Sequence, residues 1–532
     1  MEQIPVGFLD KARQVAVRLQ NWKRDRPVLI LGHRDGDGLS AASVLYQSLK
    51  ALGFKKISTK ILLAPNAEVV QEILKTNQFD YVITGDIGAG FEELFKELVM
   101  DFIIADHHPN EIGVYGRHQL NPCEFHMNDE IDCSGSTTAA ILFLHIFPQE
   151  FWTTETGKVI LSYAIAGAVS DFQMKEGPVS VNKYIADIAV KSGAVSMQKD
   201  ICFFGRGMYP VFVALHRSGI PGFQDLEICK SITSHIFNPK ENEHWKRVVD
   251  LTRDEKAKLV EAIAIHLLSN VNLDINTSEI IKGVVNYTYD LEGLQGWDCT
   301  LIPDGRRTID AREILHRVNY VSRRGKAELA LELLNNKTID DELWNIIESH
   351  HRTGDREVAQ ALELYELGKI PIESWDARIV MADFTGSIYF DEVGVIAGVI
   401  MKKFRDIEIM LSYCEIEEEN IVKLSTRARE DIWNLIEGPS WKLSDAKVVY
   451  QAIRKKYPNK IMQFGGHRWA CSGYVHREII PEFFKEMLKY YQQLKDSSQI
   501  AEEPTQKEEK PSESPKPKIK IKTGQWKLDQ FL

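Results

Sequence analysis

The chain has 532 residues, of which 44% are hydrophobic and 27% charged, and its formal net charge is -11 at neutral pH. This length is several times that of a typical domain, so two or three domains with ample core are expected. The acidic balance excludes indiscriminate binding to polyanions, although local basic patches can coexist with it. The opening residues lack the basic-then-apolar layout of a signal peptide, and no apolar run approaches membrane-spanning length. Seven cysteines are scattered without a C-x-x-C pair, so neither a disulfide framework nor a thiolate zinc site is indicated. The expectation is a reduced, cytoplasmic protein without membrane contact.

In chain order, residues 1–26 read as an amphipathic helix carrying Phe8, Ala12, Val15, Val17 and Leu19. Pro27 precedes four apolar residues, Val28 to Leu31, which read as a buried parallel strand. That strand breaks into the loop His33-Arg-Asp35-Gly-Asp37-Gly38, and a helix is expected from Leu39 to Leu49. A second strand is predicted over 56–64 and helix around Val69–Leu74. A strand then ends in Gly85-Asp86, and after another helix Phe102-Ile-Ile-Ala leads into Asp106-His107-His108-Pro109. The apolar run from Leu161 ends in Ser170-Asp171 and is read as a further boundary of the same kind. This β-α-β-α alternation is the pattern of an α/β fold with a parallel sheet covered on both faces.

Parallel strands place such boundaries along one edge, where open α/β sheets bind ligands. The donors Asp35, Asp37, Asp86, His107 and Asp171 can therefore converge. Asp35 and Asp37 are too close to share an apolar site unless a cation neutralises them. Oxygen and imidazole donors suit Mn or Mg, and two imidazoles, with His33 of the first loop counted beside His107, favour Mn. By itself the first loop also reads as an acidic turn with helix-capping aspartates.

Residues 175–370 are largely helical by pattern, including 254–268 and 311–334, while 280–303 look β-rich. Arg306, Arg307 and the stretch from Arg317 to Lys326 could follow a nucleic-acid backbone, with Tyr320, Trp344 and Trp375 stacking bases. A solvated helix surface explains the same charges equally well. Further on, Gly465 and Gly466 next to His467 and Arg468 could bring backbone and two donors to a phosphate, or form a plain tight turn. Beyond Lys495 the composition turns to Glu, Lys, Ser and Pro, the signature of a disordered tether. It ends in Gln525-Trp-Lys-Leu528-Asp-Gln-Phe531-Leu532, where Leu528 and Phe531 fall on one face of a single helical turn.

His33-x-Asp35-x-Asp37-Gly, Gly85-Asp86, Asp106-His107-His108 and Ser170-Asp171 resemble the ordered motifs of the DHH phosphoesterase superfamily. Phe464-Gly-Gly-His-Arg468 resembles the glycine-rich motif of its associated substrate-binding domain (DHHA1), and Ser425-Thr-Arg427 the short strand motif before it. The resemblance covers roughly residues 20–180 and 370–490. It implies a DHH catalytic domain over 1–180, a helical connecting region over 181–370, a smaller α/β DHHA1 domain over 371–494 and a tail over 495–532. It also implies two divalent ions, with His33 and Asp35 on one, Asp37, His107 and Asp171 on the other, and Asp86 bridging. Asp106 would orient a histidine ligand, and His108 would face the substrate phosphate. Arg427, Gly465, Gly466, His467 and Arg468 would grip the strand.

The family's pyrophosphatases space their first histidine and aspartate more widely, which favours the nuclease-like branch and the archaeal RecJ-type single-strand exonucleases. An oligoribonuclease or dinucleotide phosphodiesterase is the alternative enzyme, and a replisome scaffold the non-enzymatic one. The C-terminal Gln525, Leu528, Phe531 and Leu532 resemble a peptide that binds the sliding clamp (PCNA), with Leu532 in place of the second aromatic. Such a chain would work in DNA repair or replication, alongside a helicase or another replisome component.

Overall fold

A computed structural model describes residues 4–63, 67–76, 78–98, 100–110, 113–218, 220, 222–236, 245–270, 283–294, 310–336, 341–375, 378–404, 406–416, 420–429, 447–467 and 470–501. They form two compact units that meet in sequence between His351 and Arg352.

The first unit is built on five parallel strands: β1 (Val28–His33), β2 (Ile57–Leu62), β3 (Tyr81–Gly85), β4 (Asp101–Ala105) and β5 (Gln119–Leu120). Their spatial order is β2-β1-β3-β4-β5. Side chains alternate across the pleat, so the continuous apolar run of β1 serves two cores. Val28 and Ile30 join Ile83 and Ile103 beneath helices α1 (Val6–Gln20), α2 (Gly36–Ala51), α5 (Gly135–Leu144) and α6 (Glu155–Ser170). Leu29 and Leu31 face the other way, with Val82, Phe102 and Ile104, toward α3 (Ala67–Thr76) and α4 (Glu92–Glu97). A further helix, α7 (Ser180–Ser192), adds Val181 and Ile185 to the first core. Each such side chain contributes on the order of 2 kcal/mol by leaving water.

Several expectations are corrected here. The second helix begins at Gly36 rather than Leu39: Asp35 caps it by accepting from the Gly38 amide at 3.0 Å, which places Asp37 in the first helical turn. The run ending in Asp171 is helix α6, not a strand. It is buried from Ile160 to Val169, and a helix hidden on all sides loses the 3.6-residue period by which sequence separates helix from strand. On α1, Val17 is 52% exposed, because residues two apart point to different sides of a helix and Val15 and Leu19 take the core.

Within 181–351, β6 (Ser196–Ile201) pairs antiparallel with β7 (Val285–Asp290), which places the β-rich stretch. Around this pair Phe203, Leu215, Leu259 and Ile263 form a separate core. The expected helix over 311–334 is two, Ala311–Arg323 and Ala327–Asn335, divided where Gly325 adopts a left-handed φ of 72°. Both helices contribute to the core beneath α2 and α6. That packing overturns the nucleic-acid reading of Arg317, Tyr320 and Trp344, all of which are buried. Arg317 donates from Nε to Glu348 at 2.8 Å, so its charge is satisfied inside the fold. Arg306 and Arg307 lie outside the described residues.

The second unit carries a six-stranded sheet of β8 (Ile372–Trp375), β9 (Ile379–Asp383), β10 (Ile409–Glu415), β11 (Ile421–Ala428), β12 (Ile461–His467) and β13 (Ala470–His476). The order is β12-β13-β11-β10-β9-β8, parallel at β9/β10 and antiparallel elsewhere. The helix Val393–Lys403 packs Ile396 and Ile400 on one face, and Lys447–Lys456 with Ile480–Ala501 cover the other. The architecture is the mixed α/β class expected from sequence. No described helix is long and apolar enough to cross a membrane.

Candidate metal centre

β1, β3 and β4 are neighbours, and their register sets Gly32 opposite Gly85 and Gly85 opposite Ala105. His33, Asp86 and Asp106 therefore leave the sheet level with one another. Asp86 turns at once into the left-handed region, with φ 63°, and its amide donates to Ala105 O at 2.9 Å. Aspartate tolerates that conformation better than most residues.

The side chains gather on Asp86. One of its oxygens, Oδ2, lies 3.5 Å from His33 Nδ1, while Oδ1 lies 3.2 Å from His107 Nε2 and 3.9 Å from His108 Nδ1. His33 Nδ1 is also 2.8 Å from Asp35 Oδ2, and His107 Nε2 is 3.8 Å from Asp171 Oδ2. Three overlapping triads have donor atoms within 4.8 Å of one another: His33–Asp35–Asp86, Asp37–His107–Asp171 and Asp86–His107–His108.

Helix ends supply the rest of the site. Asp37 sits against the N-terminus of α5, accepting from the Gly135 amide at 2.6 Å, the Ser136 amide at 3.1 Å and Ser134 Oγ at 3.2 Å. Asp171 caps the other end of α6. Glycines let these helices close in: a Cβ on Gly135 would overlap Asp86 Oδ1, and one on Gly167 would overlap Asp37 Oδ1.

The two adjacent histidines are held differently. His107 Nδ1 donates to the Asp129 carbonyl at 2.9 Å, and because a carbonyl only accepts, Nε2 is the nitrogen whose lone pair is exposed to the cluster once the ring is neutral. Gln173 braces the same corner, donating from Nε2 to Asp129 O at 2.9 Å and to Asp171 Oδ2 at 2.8 Å. Its own Oε1 accepts from Asn182 Nδ2 at 2.8 Å. Asp106 orients His108: its Oδ1 is 2.9 Å from His108 Nδ1, and its Oδ2 accepts from the Ala89 amide at 2.9 Å. His108 is 38% exposed at its side chain, while His107 is buried.

Burial and the neighbouring Asp86 and Asp171 push the Asp37 carboxyl well above its ordinary range. Although burial opposes it, Asp35 and Asp86 hold His33 protonated, its pKa pushed up to about 10. His107 is likewise raised, against its burial, by Asp86 and Asp171. Burial works against ionising Asp106, yet its contact with His108 brings it down to about 2. The cluster thus draws in positive charge wherever it can. Asp86 Oδ1 and His33 Nδ1 are buried and meet no aligned hydrogen bond, although each has a charged neighbour within 3.2 Å. Carboxylates and imidazoles that converge in burial without aligned hydrogen bonds fit divalent cations, which would take the place of the ring protons.

Reasoning from sequence missed the bracing residues. The Ser134-Gly-Ser-Thr137 capping box before an apolar run was a readable helix start. Gln173, Asn182 and the Asp129 carbonyl carried no comparable signal. In the second unit, Arg427 lies on β11 and donates to Ser425 Oγ at 2.8 Å. Register puts Arg427 opposite Ala470 and Ala470 opposite His467, three strands in a row. Gly466, in β12, has φ 133° and a Cβ there would overlap the Ala470 carbonyl of β13, so this strand position requires glycine, whereas Gly465 has open space around it. Arg468 and the C-terminal Gln525, Leu528, Phe531 and Leu532 lie outside the described residues.

The model of the DHH family, N-terminal domain, matches residues 27–170. Over that stretch the chain is similar to the DHH family, and its fold is similar to that of RecJ. CDC45 from Entamoeba histolytica is similar in structure, with a TM-score of 0.57 and 10% identity, over 91% of this chain and 97% of that one. RecJ from Thermus thermophilus, solved in complex with Mn2+, is similar with a TM-score of 0.52 and 15% identity over 93% of this chain. The chain spans 56% of that RecJ. No curated protein matches it by sequence.

Proposed function

We propose that the chain is a two-metal exonuclease that hydrolyses phosphodiester bonds of single-stranded DNA or RNA in DNA repair or replication. The observation that carries this reading is the convergence of His33, Asp35, Asp37, Asp86, His107 and Asp171 at one sheet edge. His33 and Asp35 would hold one ion, Asp37, His107 and Asp171 the other, with Asp86 offering one oxygen to each side. Mn is preferred and Mg accepted, and the similar RecJ solved with Mn2+ supports that choice. When bound, such a pair activates water and stabilises charge developing on the phosphoryl group.

The protein's own groups do the positioning. Asp106 fixes His108 by Nδ1, leaving Nε2 as the ring nitrogen that would meet a phosphate oxygen. The α5 amides brace Asp37 and Gln173 braces Asp171, which would hold both carboxylates in place for the metals. We read residues 371–494 as the DHHA1 substrate-binding domain, where Arg427, Gly465, Gly466, His467 and Arg468 would grip the strand. The terminal Gln525, Leu528, Phe531 and Leu532 would tether the enzyme to the sliding clamp, with a helicase or replisome component as a further partner. The scaffold alternative predicts a decayed site, and the complete donor set speaks against it.

The test is hydrolysis of DNA and RNA single strands labelled at either end, with Mn or Mg. Stepwise shortening from one end, abolished by chelation, is expected. Cleavage confined to dinucleotides would favour the phosphodiesterase alternative, and no cleavage the scaffold.

A further inference from the structure

We infer that Phe172 is a platform on which a nucleobase of the substrate stacks beside the metal centre, an inference that rests on the nuclease reading above. Helix α6 ends in a Schellman arrangement: the Phe172 amide donates to Val169 O at 3.2 Å, and the Gln173 amide to Ala168 O at 3.1 Å. That arrangement needs a left-handed residue after the cap, and Phe172 supplies it with φ 60°. Glycine ordinarily takes this place, because a bulky side chain is strained there. The fold draws no packing in return, for Phe172 is 79% exposed, more than any other large hydrophobic residue among those described.

Both neighbours fix the ring's position. Asp171 belongs to the metal-binding cluster, and Gln173 is buried, bonded to Asp171, Asp129 and Asn182. The Phe172 Cα therefore lies ~3.8 Å from that of a candidate ligand. Asn182 also donates to the carbonyl of Ile131, itself 47% exposed, so the same amide network anchors a second apolar residue. An uncharged aromatic face beside an anionic, metal-seeking cluster suits a base rather than a phosphate. Base stacking on such a face is tolerant of sequence, as a nuclease acting on any single strand requires. A strained residue kept at a site of chemistry points to function rather than to folding.

The decisive variants are Phe172→Gly, which relieves the strain, Phe172→Leu, which keeps the bulk without the ring, and Phe172→Trp. Binding is read by anisotropy of a labelled single strand with Ca2+ in place of Mn, using an intact strand and one abasic at its terminal nucleotides. Phe172→Gly and Phe172→Leu should bind the intact strand about tenfold more weakly, a loss within the range of one stacked base. KM in Mn should rise more than kcat falls, with metal content unchanged. Phe172→Trp should restore binding, and all four proteins should bind the abasic strand alike. Phe172→Gly should melt no lower than the parent chain, which separates this loss from misfolding. Equal binding of the intact strand by parent and Phe172→Gly, or a parent chain that binds no strand, would overturn the inference. A parent chain that shows the stacking difference in Ca2+ yet cleaves nothing in Mn would instead overturn the nuclease reading alone.

Discussion

At the scale of single residues, the site contrasts groups that would hold metal with groups that hold them. Burial, and after it the charge of Asp86 in an already crowded cluster, raises the Asp37 carboxyl. Asp86→Asn should therefore leave the metal-free protein as stable as before, or more so, while cutting hydrolysis by more than about 100-fold, beyond what losing even an outer partner of a ligand costs. Metal content by elemental analysis and thermal melts check both halves. Gln173→Met keeps the volume but removes the donor to Asp171 and Asp129 and the acceptor for Asn182. Metal affinity should fall by about 10–100-fold, measured by titration, with every proposed ligand still present.

Among the elements, two helix ends close on the centre only because glycines permit it. A methyl group on Gly167 would overlap both Asp37 Oδ1 and Ser136 Oγ. Gly167→Ala should destabilise the fold by about 1–3 kcal/mol, as overpacking does, and weaken metal binding by displacing Asp37. Denaturant titration and metal titration on the same variant test this.

A second element-scale device binds β7 to the helix Ala311–Arg323. Buried Arg206 donates to Asp310 at 2.7 Å and to Asp290, and lies 3.7 Å from Asp200, which also pairs with Lys256 at 2.6 Å. With Arg312 and Glu313 included, three cations face four carboxylates. Burial and Asp310 push Glu313 up to about 7, while burial pushes Asp290 up to about 6 against the pull of Arg206. A carboxyl whose folded pKa is raised stabilises the fold while protonated, so its contribution is full below about 4.3 and is lost as pH rises through 7. Glu313→Gln should match the parent near pH 5 and exceed it by about 2 kcal/mol near pH 8, read by denaturant unfolding. An equal difference at both values would show that no proton is held there.

For the whole molecule, a net charge of -11 gives little general attraction to nucleic acid, so engagement with long templates would depend on a tether. The C-terminal segment is polar and proline-bearing, with Leu528 and Phe531 at its tip, and has little to bury against itself. Deleting residues 520–532 should leave hydrolysis of short free strands unchanged and abolish binding to the sliding clamp, as should Leu528→Ala with Phe531→Ala. Calorimetry with purified clamp measures the loss of binding. Lower activity on short strands after the deletion would show that the peptide acts on its own enzyme.

The sequence by itself determined the alternation of strands and helices and the identity of the convergent donors. Apolar runs that stop at His33, Asp86 and Asp106 carry their own signal, since a buried parallel strand needs continuous hydrophobicity and its end needs polarity. What the chain could not declare locally was decided by packing. The run before Asp171 is apolar throughout, and only its place between α2, α5 and α7 makes it a helix. The charges of Arg317 and the ring of Trp344 suit a surface as well as a core until Glu348 and neighbouring helices enclose them. Gln173, Asn182 and the Asp129 carbonyl acquire meaning through contacts up to 51 positions apart along the chain, which no local pattern encodes. Local order follows from the period and hydrophobicity of neighbouring residues. The bracing of the site follows from which distant segments a single buried volume forces together.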